Sequence, residues 1–442
     1  MPPDAPNSIT RLFRGCEPNE PLAPADPRYI DLDVVRGENV VEQYERSLRR
    51  CDPAKPDVKL FAGHRGVGKT SELLRLKSNL ENPDRGQVFK VIFFDAGDAL
   101  DVNDLDFPDL LVCIAGETLM QLKDANVPGF DGASKYLQRV WDDLWGVLQS
   151  EITIKDVSLE TGFGGLTAEL RNRPNSRSML REEIEKQSTN LLKAVNDLLT
   201  TASVALAEND MAGLVLLIDG LDKIVRREIS AGFTTHDRLF FHRHEQLSSL
   251  RAHVVYTVPI SLIYSAACAQ LEVGIGEHNT PVSMINLRGK DRAGVEDDSP
   301  GMKKMREMLE ARCQHANVNF SDAFETEATA SYLCRMTGGH PRHLMMFIQS
   351  ALDELDQLPI TKDAAQRAVR KYANSLLREV PSDFWPLLRL FDEPQDTIPT
   401  DDDHQQMLYL LHVFEYMNGQ PWYEINPVFR TLERYRAASR GG

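Results

Sequence analysis

The feature that most constrains the fold is a glycine-rich segment that ends in a lysine and a threonine. Residues 63–70 read Gly-His-Arg-Gly-Val-Gly-Lys-Thr, which fits the pattern G-x-x-x-x-G-K-[ST]. The β-prone run Val58–Ala62 precedes this segment, and a helical pattern begins at Ser71. Glycines let the backbone curl so that successive N–H groups face a phosphate, and the following helix N-terminus also favours anions. The order strand, loop, helix predicts a nucleotide-binding loop, and a glycine-rich turn without a ligand is the alternative.

The residues of this loop are candidates for contact with ATP and Mg²⁺. Lys69 would reach the β- and γ-phosphates, and the Thr70 hydroxyl would bind the Mg²⁺ ion. The full set of candidates is Gly63, His64, Arg65, Gly66, Val67, Gly68, Lys69, Thr70 and Ser71.

A second motif combines an apolar run with two acids. Leu214–Ile218 is uninterruptedly apolar and leads into Asp219-Gly220-Leu221-Asp222. Such a run predicts a strand buried on both faces of a parallel sheet, with Asp219 at the edge where ligands bind. Asp219 would hold Mg²⁺ through water, and Asp222 would orient or deprotonate the attacking water. Without the phosphate loop, the same residues would be a strand-end turn with an acid at a helix N-cap.

Similar apolar runs recur along the first two-thirds of the chain. The predicted strands are 58–62, 88–94, 214–218, 253–258 and 282–287. Five strands separated by helical patterns predict an α/β fold with a five-stranded, doubly wound parallel sheet. Thr257 would touch the attacking water or the γ-phosphate, or is simply a β-favouring residue. Asp95, Asp98 and Asp101 follow the second strand and are either solvated carboxylates or ligands of a metal-bound water.

Composition changes along the chain suggest four segments. Residues 1–27 contain seven prolines and predict a flexible, extended arm, and residues 28–298 form the P-loop ATPase domain. The insertion 124–212 carries predicted helices at 134–148 and 179–206 around a predicted hairpin, 151–170. This insertion is either a lid or a partner-contacting arm that moves with nucleotide state. Helical periodicity at 299–379 predicts a helical-bundle lid domain. In 380–442, a predicted helix at 404–415, Asn-Gly between β-prone residues and a last helix predict a C-terminal winged helix.

Bulk composition limits the partners. The net charge of −16 argues against binding of duplex DNA by the whole surface, because such binding neutralises phosphates. The six cysteines form no C-x-x-C pair, which is typical of reduced thiols in a cytoplasmic protein and predicts no cysteine metal site. No run approaches the ~20 apolar residues of a membrane helix, so we expect no membrane partner.

Three motifs together resemble the AAA+ and STAND classes of P-loop ATPase. They are Gly63–Thr70, the hydrophobic-Asp-Gly-Leu-Asp run that ends at Asp222, and Gly-His-Pro-Arg at 339–342. The most similar branches are initiator-like and NACHT-like, and many bacterial members of them serve in anti-phage defence. The resemblance implies that Pro341 contacts the adenine and that Arg342 reads the γ-phosphate. The chain departs from AAA+ at Gly220, where that family has a glutamate, so hydrolysis would depend on Asp222 and be slow.

These observations predict an ATP-binding and ATP-hydrolysing switch that forms a homo-oligomer in one nucleotide state. No repeat or effector domain is evident, so we expect a separate effector or sensor protein. The alternative is a DNA-binding initiator or loader that acts through the winged helix. For this role, the DNA-contacting helix should be basic. The last helix offers Arg430, Arg434, Arg436 and Arg440, whereas the helix 404–415 has no Lys or Arg, so DNA is the less favoured partner. Arg288 and Arg292 are candidates for an arginine finger.

Overall fold

The computed structural model describes most of the chain and divides it into two compact units. The described residues are 7–52, 55–125, 171–172, 174–230, 233–265, 280–289 and 294–438, with single residues at 135, 139, 268 and 292. The loop unit comprises Met1–Val40, Gly63–Arg75 and Pro281–Gly442, and the sheet unit comprises Val41–Ala62 and Leu76–Thr280. The predicted hairpin at 151–170 and nearly all of the predicted helix 134–148 lie outside the described residues.

Among the described residues, helices and strands alternate along the first half of the chain. The second half is mainly helical. The strands are β1 (Val58–Gly63), β2 (Phe89–Asp95), β3 (Gly213–Asp219), β4 (Glu228–Ser230), β5 (Phe233–Thr234), β6 (His253–Pro259), β7 (Val413–Met417) and β8 (Pro421–Ile425). The helices are α1 (Ser8–Gly15), α2 (Asp33–Arg36), α3 (Val40–Arg50), α4 (Lys69–Leu80), α5 (Ala96–Ala99), α6 (Phe107–Asp124), α7 (Pro174–Ala207), α8 (His244–Leu247), α9 (Ile260–Ile263), α10 (Pro300–His315), α11 (Phe320–Ala323), α12 (Glu327–Met336), α13 (Pro341–Leu352), α14 (Lys362–Glu379), α15 (Phe384–Leu388), α16 (Asp402–Tyr409) and α17 (Glu433–Ala438). Within the described part of the chain, no helix combines the length and the apolar character that crossing a membrane requires.

The sheet unit is built on a four-stranded sheet in the order β1-β6-β3-β2. Strands β2 and β3 pair in parallel from Phe89 opposite Gly213 to Asp95 opposite Asp219, and β3 pairs in parallel with β6. Every residue of β3 is buried on both faces of the sheet. Helices α6 and α7 cover the face that carries Leu214, Leu216 and Ile218, with apolar side chains such as Leu111 and Leu198. The prediction of a doubly buried parallel strand ending at Asp219 is therefore confirmed.

The predicted fifth strand at 282–287 is wrong among the residues that the structure describes. Only Val282 forms a parallel bridge, to Gly63. The next N–H groups turn to other acceptors: Met284 donates to the Glu415 carbonyl and Asn286 to the Val35 carbonyl. These acceptors belong to separate parts of the chain and not to one neighbouring strand. The apolar run 282–287 is therefore buried without being a strand.

In the loop unit, the helices α10 and α12–α14 pack on one another, and the N-terminal segment packs on them. Whether they act as a lid domain stays a prediction. The segment is not wholly an extended arm, because Ser8–Gly15 forms α1 with Leu12 buried. Helix α1 contacts α10 and α13, and the Arg11 Nε–H donates to the Ala316 carbonyl at 2.7 Å. The proline count concealed this helix, because the prolines of residues 1–27 flank 8–15 and do not interrupt it.

The C-terminal part of the loop unit contains the predicted hairpin. Strands β7 and β8 pair antiparallel, joined by three residues with Gly419 at φ 75° rather than by a two-residue turn. The preceding helix ends at Tyr409, six residues before its predicted end, because the chain turns at Leu411 with φ 62°. All residues of β7 are buried. Whether this region acts as a winged helix stays a prediction.

Candidate nucleotide-binding site

Lys69 begins α4, and the loop itself holds its ammonium group. The Nζ donates to the carbonyl of Gly63 at 2.8 Å and to that of His64 at 2.9 Å. The residue is only 4% exposed. A buried ammonium needs such acceptors, and phosphate oxygens at the mouth of the loop would be stronger ones because they are charged.

The motif at 339–342 lies against this loop within the loop unit. The His340 Nε2 lies 2.9 Å from the Arg65 carbonyl, and its Nδ1 accepts from the His343 N–H, so Nε2 carries the proton. A Cβ atom at Gly66 would lie 2.7 Å from His340 Cε1 and 3.0 Å from Arg342 Cβ. The structure therefore brings the loop and Arg342 together. Pro341, the first residue of α13, is half-buried beside them.

Three buried histidines line the interior side of the loop. The His64 Nε2 accepts from the Glu415 N–H at 2.8 Å, and the rings of His340 and His343 stack at 3.8 Å. Each of the three rings lies within 6.0 Å of the Phe414 ring. Burial lowers the pKa of His64 and of His343 to about 3 and that of His340 well below its usual value. The three rings are thus neutral near pH 7, and neutrality allows them to pack beside Lys69.

Two further contacts of the loop were not evident from the sequence. Buried Arg36, at the end of α2, pairs with Glu72 at 2.6 Å and donates to the Val67 carbonyl. The hydroxyl of Ser71 accepts from the Leu22 N–H at 2.9 Å. Ser71 therefore has a role in holding the N-terminal segment besides its predicted contact with nucleotide. No local pattern marks Arg36, since its partners lie more than thirty positions away.

Asp219 lies in the sheet unit, at the carboxyl end of β3, where it is 1% exposed. Asp95 is its register partner on β2. The next residue, Gly220, has φ 85°, and a Cβ there would lie 2.0 Å from Asp95 Oδ1. A side chain after Asp219 would therefore require Asp95 and the Gly97 backbone to shift. This packing favours glycine at the position.

Asp222 lies in the short 3₁₀ helix Leu221–Lys223 and is 7% exposed. The neighbouring Lys223 Nζ pairs with Asp95 Oδ2 at 2.5 Å. Although burial opposes the charge of Lys223, its hydrogen bond to Asp95 and the charges of Asp95, Asp219 and Asp222 raise its pKa. The end of β3 is thus a cluster of three acids and one lysine.

The other predicted acids and the predicted threonine have different surroundings. Asp98 is exposed, and Asp101 pairs with Arg177 at 2.8 Å, so only Asp95 of that group lies beside Asp219. Thr257, in β6 between β1 and β3, is fully buried, and its hydroxyl has no hydrogen-bond partner among the described residues. An orphaned buried hydroxyl fits contact with a group that is not part of the chain.

The donor chemistry of these residues fits Mg²⁺. Among the described residues, no cluster of three or more histidine, cysteine, aspartate or glutamate side chains is arranged to hold a metal ion. Mg²⁺ in phosphate-transfer sites needs only one or two protein oxygens, because phosphates and water complete its shell. The carboxylate of Asp219 and the hydroxyl of Thr70 are hard oxygen donors of this kind.

The two arginine-finger candidates are engaged inside the loop unit. Arg288 forms a two-pronged ion pair with Glu424 at 2.8 and 2.9 Å. Arg292 pairs with Asp396 at 2.5 Å and lies over the ring of Trp422. Either arginine would have to leave these partners to act on a second subunit.

Comparisons with known proteins give weak similarities only. No protein-family model and no curated protein matches the sequence. The structure of Drosophila ORC bound to DNA is similar to this chain with a TM-score of 0.42 and 11% identity, over 98% of this chain and 94% of that one. The Walker-type ATPase PABY2304 of Pyrococcus abyssi gives 0.41 and 14%, over 92% and 99%. Cdc6p from Pyrobaculum aerophilum gives 0.40 and 13%, over 96% and 97%. At these scores, the candidate function depends on the residues of the site itself.

Proposed function

We propose that the chain is an ATP-binding, ATP-hydrolysing switch that uses Mg²⁺. The observation that carries the proposal is the loop Gly63–Thr70, with a buried lysine at its end and Arg342 beside its central glycine. A loop of this shape presents backbone N–H groups and one ammonium to an anion, which is what a triphosphate requires.

In this proposal, Lys69 exchanges the carbonyls of Gly63 and His64 for the β- and γ-phosphate oxygens. Thr70 and Asp219 would hold the Mg²⁺ ion, which when bound would neutralise part of the charge on the phosphates. Asp222 orients the attacking water or accepts its proton, and Thr257 donates to that water or to the γ-phosphate. Turnover is slow, because no glutamate follows Asp219.

Sensing of the nucleotide would fall to α13. Pro341 would contact the adenine, and Arg342 would pair with the γ-phosphate. The support is that the side chain of Arg342 already lies along Gly66, while His340 bonds to the Arg65 carbonyl. Loss of the γ-phosphate would release Arg342 and change how α13 is held. This change would control assembly of the chain or binding of a separate effector. The biological setting that we propose for this switch is anti-phage defence.

The test of nucleotide binding is a pair of lysine variants on one helix. Lys69→Ala should weaken ATP binding about a hundredfold, since it removes charge-assisted bonds to two phosphates. Lys77→Ala is the matched control, because Lys77 lies on the same helix and pairs with Glu81 at the surface. Calorimetric titration with ATP and Mg²⁺ measures both, and phosphate release over hours reports turnover. Micromolar binding by Lys69→Ala would overturn the proposal.

Assembly is tested separately by light scattering. The mass in ATP with Mg²⁺ should exceed the mass in ADP, and Lys69→Ala should keep the ADP value under both conditions. An identical mass in all states would exclude nucleotide-controlled self-assembly and leave a separate effector as the controlled partner.

A second candidate function is DNA binding by an initiator-type ATPase, which the order α16, β7–β8, α17 favours. The available cations are few: Arg430 pairs with Glu424 at 2.9 Å, and Arg436 donates to two main-chain carbonyls. Arg434 is exposed, and Arg440 lies outside the described residues. A gel shift with duplex DNA at rising salt decides, because phosphate contacts weaken steeply with ionic strength. Binding that falls tenfold or more from 50 to 200 mM salt supports this candidate, and no shift at 50 mM excludes it.

A further inference from the structure

The loop unit contains a pocket of about 320 Å³ at the base of the hairpin β7–β8. Its apolar lining comes from Leu287, Val295, Met336 and Pro427, together with the ring of Trp422. A volume of this size lies at the lower end of the range for small-molecule sites. None of these residues belongs to the proposed nucleotide site.

The pocket is lined by more arginines than acids although the chain is acidic. Its lining includes four arginines and one acid, Glu424, whereas the whole chain has a net charge of −16. The four are Arg288, Arg335, Arg430 and Arg436. Glu424 is buried and shared, since both Arg288 and Arg430 pair with it. Outside the lining, Asp297 pairs with Arg335 and Asp392 pairs with Arg430. Three carboxylates thus face four guanidinium groups, which leaves a surplus of one positive charge.

Trp422 supplies an independent sign that the pocket has a ligand. Its indole is fully buried, and the Nε1–H has no hydrogen-bond acceptor within the described part of the chain. Buried donors are nearly always paired in folded proteins. One face of the indole stacks on Tyr416 at 4.3 Å, and the Arg292 guanidinium lies over the ring at 5.2 Å. A ligand would therefore contact the ring at its edge.

We infer that this pocket binds a small organic anion with an apolar body. The apolar wall would take the body, and the guanidinium groups would take the acidic group. The 40% exposed Arg335 would exchange its partner Asp297 for that group. An inorganic anion would leave the apolar wall uncovered, and a neutral molecule would leave the arginine surplus uncompensated.

One short segment, residues 338–340, contacts both the pocket and the phosphate loop. The Tyr416 hydroxyl donates to the carbonyl of Gly338 at 2.6 Å, and both residues line the pocket. Two residues further on, His340 bonds to the Arg65 carbonyl. A ligand that displaces Tyr416 or Gly338 would thus change the support of the loop. This regulatory consequence rests on the proposed function, whereas the binding site itself does not.

The test uses two fluorescent probes on the full chain without nucleotide. The probe 1-anilinonaphthalene-8-sulfonate is an apolar body with one acidic group, and N-phenyl-1-naphthylamine is the same body without it. We expect the anion to bind at least tenfold more tightly than the neutral probe. Arg335→Gln should weaken binding of the anion about tenfold, the value of one lost charged hydrogen bond. Arg306→Gln is the matched control, since Arg306 is equally exposed and also pairs with surface acids.

A blocking variant locates the site. Met336→Trp places a larger side chain in the pocket and should abolish tight binding of the anionic probe. Equal affinity for both probes, or an unchanged affinity in Met336→Trp, would overturn the inference. If Met336→Trp does not fold, the Arg335→Gln and Arg306→Gln pair decides alone, and equal affinities of these two variants would likewise overturn it.

The link to nucleotide is measured last. Saturation with the anionic probe should change the affinity for ATP about fivefold, and ATP should change the affinity for the probe by the same factor. Lys69→Ala should bind the probe like the wild type. If Lys69→Ala behaves in this way and the wild type binds no ATP, the pocket is supported and only the proposed function fails. Probe binding without any effect on ATP would exclude the regulatory consequence.

Discussion

The phosphate loop and the end of β3 are built by different means. At the loop, carbonyl oxygens hold the buried ammonium of Lys69 beside neutral histidine rings, and one buried ion pair, Arg36 with Glu72, supports the Val67 carbonyl. At the end of β3, three acids and Lys223 crowd around Gly220. Backbone carbonyls, neutral rings and a single ion pair thus hold the loop, whereas a cluster of three acids and one lysine holds the strand end. The loop should be sensitive to changes of shape and protonation, and the strand end to changes of charge.

Two glycines with the same backbone angle sharpen the comparison most. Gly220 has φ 85° and Gly66 has φ 87°, so alanine suffers equal backbone strain at both. At Gly220 the new methyl would meet Asp95 Oδ1 at 2.0 Å and the Gly97 nitrogen at 2.7 Å, and a shift of the Gly97 backbone is costly. At Gly66 it would meet side-chain atoms of His340 and Arg342, which can move. Gly220→Ala should lower the free energy of unfolding by about 3 kcal/mol.

Gly66→Ala should lower the free energy of unfolding by about half as much as Gly220→Ala. It should also weaken ATP binding, because the methyl lies in the phosphate cradle. Urea denaturation of both variants measures the first effect, and titration with ATP the second. A Gly66→Ala variant that is the less stable of the two would show that the loop, and not the strand end, is the rigid region.

Asp222→Asn should slow ATP hydrolysis about a hundredfold while ATP still binds, because the amide keeps the shape and loses the base. Asp98→Asn is the control, as Asp98 is an exposed acid that follows β2 at the same edge of the sheet. Single-turnover phosphate release measures both. Equal rates for the two variants would remove Asp222 from the reaction.

The buried histidines give the loop unit a stability that depends on pH. Burial, with the charge of Arg342 and the effect of His64, lowers the pKa of His343 from 6.5 to about 3. Between these values the unfolded chain binds a proton that the folded chain does not, so stability is complete above pH 6.5 and is lost as pH falls. Between pH 7 and pH 5, the free energy of unfolding should therefore fall by about 2 kcal/mol less in His343→Phe than in the wild type.

Denaturation at the two pH values measures the difference, in which titrations common to both proteins cancel. His315→Gln, at an exposed site, should follow the wild type. An equal loss in His343→Phe and the wild type would mean that this ring does not stay neutral in the folded chain.

The sequence predicts the local parts of the site but not the contacts between them. The loop could be predicted because glycine spacing fixes its backbone. Strand β3 could be predicted because a short apolar run without breaks, followed by turn residues, favours a buried strand. The histidine cluster could not, since the burial of His64 depends on Phe414 and Glu415, about 350 residues away. The fifth strand was wrongly predicted for the same reason. The sequence showed Gly220 only as a departure from the family pattern. The nearby side chain of Asp95 supplies the physical reason for a glycine there.

The smallest expected effect concerns the one cation at the strand end. Lys223 is partly exposed, and its pair with Asp95 is worth about 1 kcal/mol after screening by solvent. A double-mutant cycle with Lys223→Met and Asp95→Asn should give that coupling, because asparagine can still accept the Gly97 N–H that Asp95 now caps. Lys223→Met alone should lose more stability than the coupling, since Asp95, Asp219 and Asp222 then repel one another, and added salt should restore part of it. A coupling near zero that does not change with salt would show that packing around Gly220, and not charge, holds the end of β3, and the contrast between the two regions would then be lost.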